Sequence, residues 1–237
     1  MTALAARIAT ELARHGTSAR AVKEKAYLKS ELVHLGVTVP KMRAVVVGID
    51  RGARDLTHDQ LVATVKVLWK RGIFELRSAA VELLVRRPAL LGAADLALVE
   101  RLIRESKTWA LVDVLAPVVV GGLVAEHPKL TRALDRWATD DDFWVRRAAM
   151  LALLLPLRSG EGDFARFGRY ADALLEDTEF FIRKAIGWIL RETSKRRPDR
   201  VYAWLLPRAA RASGLTVREA IKYLPASQRA AIVAKRS

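Results

Sequence analysis

The residue best suited to chemistry is Asp113, which lies in an otherwise apolar stretch and follows Trp109 by four residues. A helix brings residues at this spacing onto one face, so the carboxylate and the indole would lie side by side. Such a pair suits a cation, which is attracted both by a carboxylate and by the face of an aromatic ring. A structural interpretation, an ion pair between Asp113 and Arg147, is equally open from the pattern alone.

Asp113 is unusual because it interrupts an internal repeat. The pattern apolar, any, aliphatic, Arg, any, Ala, apolar occurs four times, with its arginine at positions 77, 146, 183 and 218. Two weaker copies centre on Arg43 and Leu111, so that successive centres are 34, 34, 35, 37 and 35 residues apart. The residues equivalent to Asp113 are Val45, Ala79, Ala148, Ala185 and Ala220. Because a carboxylate is costly to bury without partners, its single appearance at this position suggests a role.

Each repeat centre opens an amphipathic helix, and a second amphipathic stretch precedes it. Clear examples of the preceding stretch are residues 94–104, 129–138, 164–175 and 199–212. The acidic runs 140–142 and 177–179 are typical of helix N-caps. A metal site at 140–142 is disfavoured, since three consecutive side chains point in different directions. Two helices per repeat, stacked in series, predict an all-α solenoid, with a non-repetitive helical bundle as the alternative.

The helical period separates a buried face from an exposed one. The recurring arginines fall on the buried side, where we expect them to bond an acid or a carbonyl of an adjacent repeat. The opposite side should face solvent and combines aromatic rings, cations and one carboxylate. Its members are Trp109, Asp113, Trp144, Arg147, Phe181, Lys184 and Trp188.

Composition favours a polyanionic partner. The 237 residues include 41 Lys and Arg against 26 Asp and Glu, a net charge of +15, which makes nucleic acid the first candidate and an anionic membrane surface the second. The absence of cysteine excludes disulfides, thiolate nucleophiles and Cys-ligated zinc. We interpret the four widely separated histidines as surface or satisfied core residues and expect no metal. They are His15, His34, His58 and His127.

No segment is expected to span a membrane. The longest apolar stretch, residues 114–125, is short and contains Pro117 and two glycines. Residues 1–16 carry Glu11 and form an amphipathic pattern without the apolar centre of a signal peptide. We therefore expect a cytoplasmic protein, associated with the nucleoid when it binds DNA.

Three segments together resemble the AlkD-type DNA alkylation repair glycosylases. They are residues 106–113 (SKTWALVD), 144–149 and 180–192, and the likeness extends to residues 27–29 and 35–40. The resemblance implies one domain over residues 1–237, built from about six HEAT-like repeats with a concave basic face that binds DNA. It also implies removal of cationic N3- and N7-alkylated purines from duplex DNA, without metal or organic cofactor and without extrusion of the base.

The resemblance also implies roles for particular residues. Asp113 matches the catalytic aspartate, Trp109 and Trp188 match two aromatic walls, and Arg147 matches a phosphate-binding arginine. The remaining residues that we expect to contact DNA are Lys184, Trp144, Phe181, Tyr27 and Lys107. The chain departs from the family at Thr108 and Ala110, where members often carry tryptophan and aspartate.

The expected partner is double-stranded DNA containing alkylated bases, bound by a monomer. Two other functions are compatible with the sequence. One is a non-catalytic HEAT-repeat module that binds DNA structures, against which Asp113 argues. The other is a protein-interaction scaffold, which leaves the aromatic and carboxylate residues on the predicted exposed face unexplained.

Overall fold

The computed structural model describes residues 2–236, and these are predominantly helical. The α-helices are α1 (Ala3–His15), α2 (Ser18–Leu28), α3 (Val39–Arg51), α4 (His58–Lys70), α5 (Phe74–Arg86), α6 (Leu96–Glu105), α7 (Trp109–Val114), α8 (Gly121–Glu126), α9 (Thr131–Trp137), α10 (Phe143–Leu151), α11 (Leu154–Ser159), α12 (Phe164–Ala173), α13 (Phe180–Ser194), α14 (Pro198–Leu205), α15 (Gly214–Ala220) and α16 (Ala226–Ala234). Within residues 2–236 the only β-type pairing is an isolated bridge between Val33 and Ile73. The all-α prediction is confirmed.

The predicted repeat centres fall in the helices α3, α5, α7, α10, α13 and α15, at or near their first turns. The preceding stretches also form helices, with bounds that differ from the prediction. Residues 94–104 begin within the 3-10 turn Ala93–Asp95, before α6, and α12 ends at Ala173. Residues 129–138 begin with a 3-10 turn, Pro128–Leu130, before α9. In residues 199–212, α14 ends at Leu205 and a 3-10 turn containing Pro207 follows, because proline cannot donate the next helical hydrogen bond.

The chain divides into two compact units, Met1–Leu115 and Ala116–Ser237. In the first unit, α5 packs against α3, α4 and α7, and α1 packs against α3. In the second unit, α13 packs between α10 and α15. The second helices of successive repeats are therefore neighbours within each unit. A single domain, a solenoid form and a concave basic face stay predictions.

Small residues allow these helices to approach closely. Ala79, Ala148 and Ala185 are fully buried where their repeats place them. Gly187 of α13 is the tightest example, because a Cβ at this position would lie 2.7 Å from the Cβ of Glu219 and 2.9 Å from the carbonyl oxygen of Thr216 on α15. A side chain at position 187 would push α13 and α15 apart.

Two of the recurring arginines, Arg77 and Arg146, hold neighbouring repeats together, as predicted, whereas the placement of Arg43 and Arg218 on a buried side is wrong, because both are exposed. Arg77 donates to the carbonyl oxygens of Trp69 (3.2 Å) and Glu105. Arg146 donates to the carbonyl of Asp140 (2.7 Å) and to the carboxylate of Asp177 in the next repeat (3.0 Å). These contacts confirm the structural interpretation for both arginines.

The acidic run 140–142 caps α10, which confirms the prediction for this helix. The carboxylate of Asp142 accepts a hydrogen bond from the backbone N–H of Trp144 at the start of α10 (2.8 Å). This bond satisfies a backbone donor that the start of a helix leaves unpaired. At α13 the N-cap residue is Glu179, which makes no side-chain cap hydrogen bond, and Asp177 instead accepts from the backbone N–H of Glu179 (2.8 Å) in the turn before the helix.

One helical run, Trp109–Glu126, is long and apolar enough to cross a membrane by length and composition alone. It exceeds the apolar stretch recognised in the sequence because it includes α7, the π-helical segment Leu115–Val120 and α8. Of these residues, 44% are buried inside the protein. The expectation that no segment spans a membrane stays a prediction.

Replacing Arg146 by alanine is expected to lower the free energy of unfolding by about 2–4 kcal/mol, since it leaves two loop carbonyls and the Asp177 carboxylate without their donor. Urea denaturation followed by circular dichroism measures the change. The control is Arg132→Ala, an exposed arginine on α9, which should change stability by less than about 0.5 kcal/mol. Equal losses in the two variants would contradict a structural role for Arg146.

Candidate functional site

The start of α7 positions Trp109 and Asp113. Thr108 is buried and serves as the N-cap, its side-chain oxygen accepting a hydrogen bond from the backbone N–H of Ala110 at 3.4 Å. Lys107 adopts a left-handed backbone conformation with φ 53°, which makes the turn out of α6 sharp. Thr108, where the sequence departs from the pattern that it resembles, thus caps the start of α7.

Tyr27 and Trp109 contact each other in the first unit, and the sequence alone could not show this contact. Their ring centroids are 6.0 Å apart at an interplanar angle of 80°, an edge-to-face contact. Tyr27 lies in the last turn of α2 and is 73% exposed, whereas Trp109 is partly buried. Asp113 lies one turn farther along α7 and is also partly exposed. Three predicted site residues therefore share one partly open region.

The helix that carries Asp113 changes its winding directly afterwards. The segment Leu115–Val120 is π-helical and contains Pro117. In a regular α-helix the ring of Pro117 would clash with the carbonyl of the residue four positions earlier, which is Asp113, and a wider turn relieves this clash. Such π-helical turns are frequent at functional sites. In the sequence, Pro117 is the feature that could have indicated this change of winding.

The second unit contains an aromatic cluster that is more buried than predicted. Trp144 is only 8% exposed, and its ring lies 4.4 Å from that of Phe143 and 4.9 Å from that of Phe181. The prediction that Trp144 faces solvent is wrong. Its face of α10 is covered because α13 of the next repeat packs over it.

Arg147 is also buried, at 2% exposure. Its guanidinium donates a hydrogen bond to the carbonyl oxygen of Phe181 and lies 5.8 Å from the ring of the same residue. The prediction that Arg147 lies on an exposed face is therefore wrong, because α13 of the next repeat also covers this side of α10. In this conformation the bond to the Phe181 carbonyl occupies the group that was expected to hold a phosphate.

Phe181, Lys184 and Trp188 follow one stripe of α13 and are partly exposed, as predicted. Lys184 is not isolated, because its ammonium group lies 2.9 Å from a carboxylate oxygen of the buried residue Glu219. Lys222 contacts the same oxygen at 2.9 Å, and Arg191 contacts the other one. Three cations thus share one carboxylate.

A second carboxylate continues this arrangement. Glu192 lies 2.8 Å from Lys195, 3.1 Å from Arg158 and 3.3 Å from Arg191. We call the five cations around Glu192 and Glu219 the basic cluster. Its members are Arg158, Lys184, Arg191, Lys195 and Lys222.

The basic cluster and the two carboxylates that it surrounds have together a net charge of +3, since five cations face two carboxylates. This excess of positive charge suits the binding of phosphate groups. The sequence interpretation recognised only Lys184. The helical spacing that places Arg191 and Lys195 near Lys184 on α13 could have indicated two more members. The contribution of Arg158 from α11 required the structure.

The two carboxylates that the basic cluster surrounds, Glu192 and Glu219, have lowered pKa values. Burial by itself raises the pKa of Glu219, but hydrogen bonds from Lys184 and Lys222 outweigh burial and lower that pKa to about 2. Burial likewise opposes ionisation of Glu192, and its pKa is nevertheless lowered by Lys195 and Arg158. Both carboxylates are therefore ionised at neutral pH.

The family model of the DNA alkylation repair enzymes matches residues 8–224. The chain belongs to this family. The match covers both units and supports a role for the protein as an enzyme of alkylation repair that acts on DNA. No protein of curated function matches the chain.

Solved structures with related folds agree with the family. A predicted DNA alkylation repair enzyme from Enterococcus faecalis has a TM-score of 0.80 at 23% identity, over 90% of this chain and 98% of its own. AlkD2 from Streptococcus mutans has a TM-score of 0.61 at 19% identity, over 86% and 99%. The protein smu.31 from Streptococcus mutans UA159 has a TM-score of 0.61 at 18% identity, over 92% and 100%. These likenesses show the shared fold, and the roles of single residues stay predictions.

The lowered pKa of Glu219 predicts a specific loss of stability in acid. Because the pKa falls from 4.5 to about 2 on folding, the interaction stabilises the protein above pH 5 and is lost as the pH falls towards 2. Melting temperatures measured from pH 7 to pH 2.5 should therefore fall less steeply for Glu219→Gln than for the wild type. Glu161→Gln, at an exposed carboxylate, should follow the wild type, and parallel curves for all three proteins would contradict the assignment.

Proposed function

We propose that this protein is a DNA glycosylase that hydrolyses the N-glycosidic bond of cationic N3- and N7-alkylated purines in duplex DNA. The observation that carries the proposal is the position of Asp113. It is a partly exposed carboxylate at a site where the other repeats have a small apolar residue, one helical turn from Trp109. Membership of the DNA alkylation repair enzyme family supports the substrate class.

The chemistry requires little from the protein beyond a well-placed negative charge. An N-alkylated purine is already cationic and leaves as a neutral base, so no strong general acid is needed. Positive charge then develops on the deoxyribose as an oxocarbenium-like species. A carboxylate aimed at this sugar stabilises the charge and orients the attacking water. Asp113 performs both roles in the proposal.

Aromatic rings would add to the preference for a cation that the carboxylate of Asp113 provides. The edge-to-face contact with Tyr27 fixes one side of Trp109 and leaves part of the indole open. The face of a tryptophan attracts a cation by about 0.5–2 kcal/mol, which favours the charged lesion and the charged transition state. Trp188, partly exposed on α13, is proposed as the second aromatic wall. The lesion remains stacked in the duplex in this proposal.

Phosphate contacts are assigned chiefly to the basic cluster. Its lysines lie at the surface, and their charge exceeds that of the two carboxylates they contact. Lys107 and Tyr27, both exposed, are proposed to contact the duplex near Asp113. Arg147 would join them only if it left the carbonyl of Phe181.

A second candidate function is a non-catalytic module that binds DNA structures. The burial of Arg147 favours it, because the arginine matched to phosphate binding is engaged elsewhere. The two functions differ in whether Asp113 is needed for any step after binding.

Asp113→Asn is expected to lower the rate of 7-methylguanine release from methylated duplex DNA by at least about 10²-fold, because the amide cannot neutralise a sugar cation. Affinity for the same duplex should change little. Release of the free base is measured by chromatography under single-turnover conditions, and binding by fluorescence anisotropy.

The matched control is Asp55→Asn, which removes the same charge from an exposed position of the first unit. It should release 7-methylguanine at the wild-type rate. Absence of release by the wild type, with binding intact, would favour the DNA-binding module. Equal rates for wild type and Asp113→Asn would remove Asp113 from the mechanism.

The double variant Lys195→Ala, Lys222→Ala tests the basic cluster. Each phosphate contact contributes about −0.9 to the slope of log K against log salt concentration, so the slope should become less negative by about 2. Glu192 and Glu219 keep other cationic partners in this variant. The control removes two exposed lysines of α4, in Lys66→Ala, Lys70→Ala, and should leave the slope unchanged. The same slope in all three proteins would exclude the basic cluster from the interface.

A further inference from the structure

Three side chains that can bind a metal ion converge in the first unit. Glu24 comes from α2, His34 from the loop between α2 and α3, and Glu75 from the first turn of α5. One ligand atom from each lies within 4.8 Å of the other two. The loop and α5 are also joined by the backbone bridge between Val33 and Ile73. The three groups are thus held by different segments of the fold.

His34 is the unusual member, because both of its ring nitrogens are shielded from solvent and lack a hydrogen-bond partner in the described structure. Its ring stacks on Phe74 at a centroid distance of 4.8 Å. His15 and His58, in contrast, contact carboxylates. The interpretation of His34 as a surface or satisfied core residue is therefore wrong. A neutral imidazole has one donor and one acceptor nitrogen, so both ring nitrogens of His34 remain available to a further partner.

Glu24 also has a shielded carboxylate oxygen without a hydrogen-bond partner among the described residues. Its Oε1 atom lies 3.1 Å from the guanidinium of Arg20, whereas its Oε2 atom is shielded and has no hydrogen-bond partner. One oxygen of Glu24 is thus held at the surface by an ion pair, and the other remains available to a cation.

Glu75 is held firmly in place. Its carboxylate is buried and accepts hydrogen bonds from the backbone N–H groups of Leu35 (2.9 Å), Gly36 (2.6 Å) and Val37 (3.1 Å). A carboxylate has about four lone-pair positions, so these three bonds leave one for a further interaction. The loop that carries His34 is fixed to Glu75 by the same bonds.

We propose that Glu24, His34 and Glu75 form a binding site for one divalent transition-metal ion of the zinc type. An imidazole nitrogen and two carboxylate oxygens are typical zinc ligands, and water would take the fourth position. The charge of the ion would balance the two carboxylates. Calcium suits the site poorly, since it requires six to eight oxygen ligands.

Small movements would complete the coordination. Zinc-to-ligand distances of about 2.1 Å place tetrahedral ligand atoms about 3.4 Å apart, so the widest pair must approach by up to about 1.4 Å. Rotation of Glu24, on the outer helix α2, can supply this because Glu75 is fixed.

The ion would connect α2 to α5 through the loop. Glu24 precedes Tyr27 by three residues on α2, so a fixed Glu24 would also restrict the motion of Tyr27 against Trp109. In this way the metal would position an aromatic residue of the candidate site without contacting DNA.

The test uses the full chain without an affinity tag, freed of metal with a chelator. Zinc chloride is added in isothermal titration calorimetry and in thermal melting, and cobalt chloride is added to record the absorption of a tetrahedral cobalt site. We expect one zinc ion per chain, a higher melting temperature and a cobalt spectrum. His34→Ala and Glu24→Gln should each weaken zinc binding at least tenfold.

His58→Ala is the control, because His58 also contacts two carboxylates, Asp59 and Asp95, through hydrogen bonds that already occupy its ring. It should bind zinc as the wild type does. If His34→Ala is unfolded by circular dichroism, Glu24→Gln decides the outcome, since it changes only a side chain of the outer helix. Absence of one-to-one zinc binding by the wild type overturns the proposal, as does equal binding by the wild type and Glu24→Gln.

Discussion

The proposed chemistry depends on one carboxylate, Asp113, which lies where the other helical repeats have a small apolar side chain. Asp113 keeps partial access to solvent, and the residues around it serve to present α7. Thr108 caps the start of the helix, and Pro117 prevents a regular continuation after Asp113. Trp109 extends from the same face and is supported by Tyr27. A negative charge fixed on a helix needs no reorganisation when positive charge develops beside it, which is the condition for electrostatic stabilisation.

The cationic residues of the chain are of two kinds, those bonded within the fold and those that outnumber the acids around them. Some arginines stabilise the packing of the repeats. Arg77 and Arg146 bond backbone carbonyls, and Arg146 also bonds the carboxylate of Asp177 in the next repeat. Other cations outnumber the acids that they contact, as in the basic cluster around Glu192 and Glu219. Only the second kind can neutralise phosphates without leaving a buried acceptor unpaired. Net charge therefore indicates a nucleic-acid partner, but contacts decide which cations can reach it.

The sequence predicts the local structure well and the packing between repeats less well. The repeat centres and the capping by Asp142 follow from periodicity and from N-cap chemistry, both of which are local. The burial of Arg147 and Trp144 could not be predicted, because a helical wheel gives the direction of a side chain but not the position of the next repeat. The unpartnered nitrogens of His34 likewise depend on a loop whose course only the folded chain defines.

The most direct test of the central claim is binding to a duplex that carries a cationic mimic of the reacting sugar, a pyrrolidine nitrogen in place of C1′. A neutral tetrahydrofuran abasic duplex is the reference. If Asp113 stabilises a sugar cation, the wild type will prefer the cationic duplex, and Asp113→Asn will lose most of this preference while binding the neutral duplex equally well. The same preference in both proteins would contradict the account.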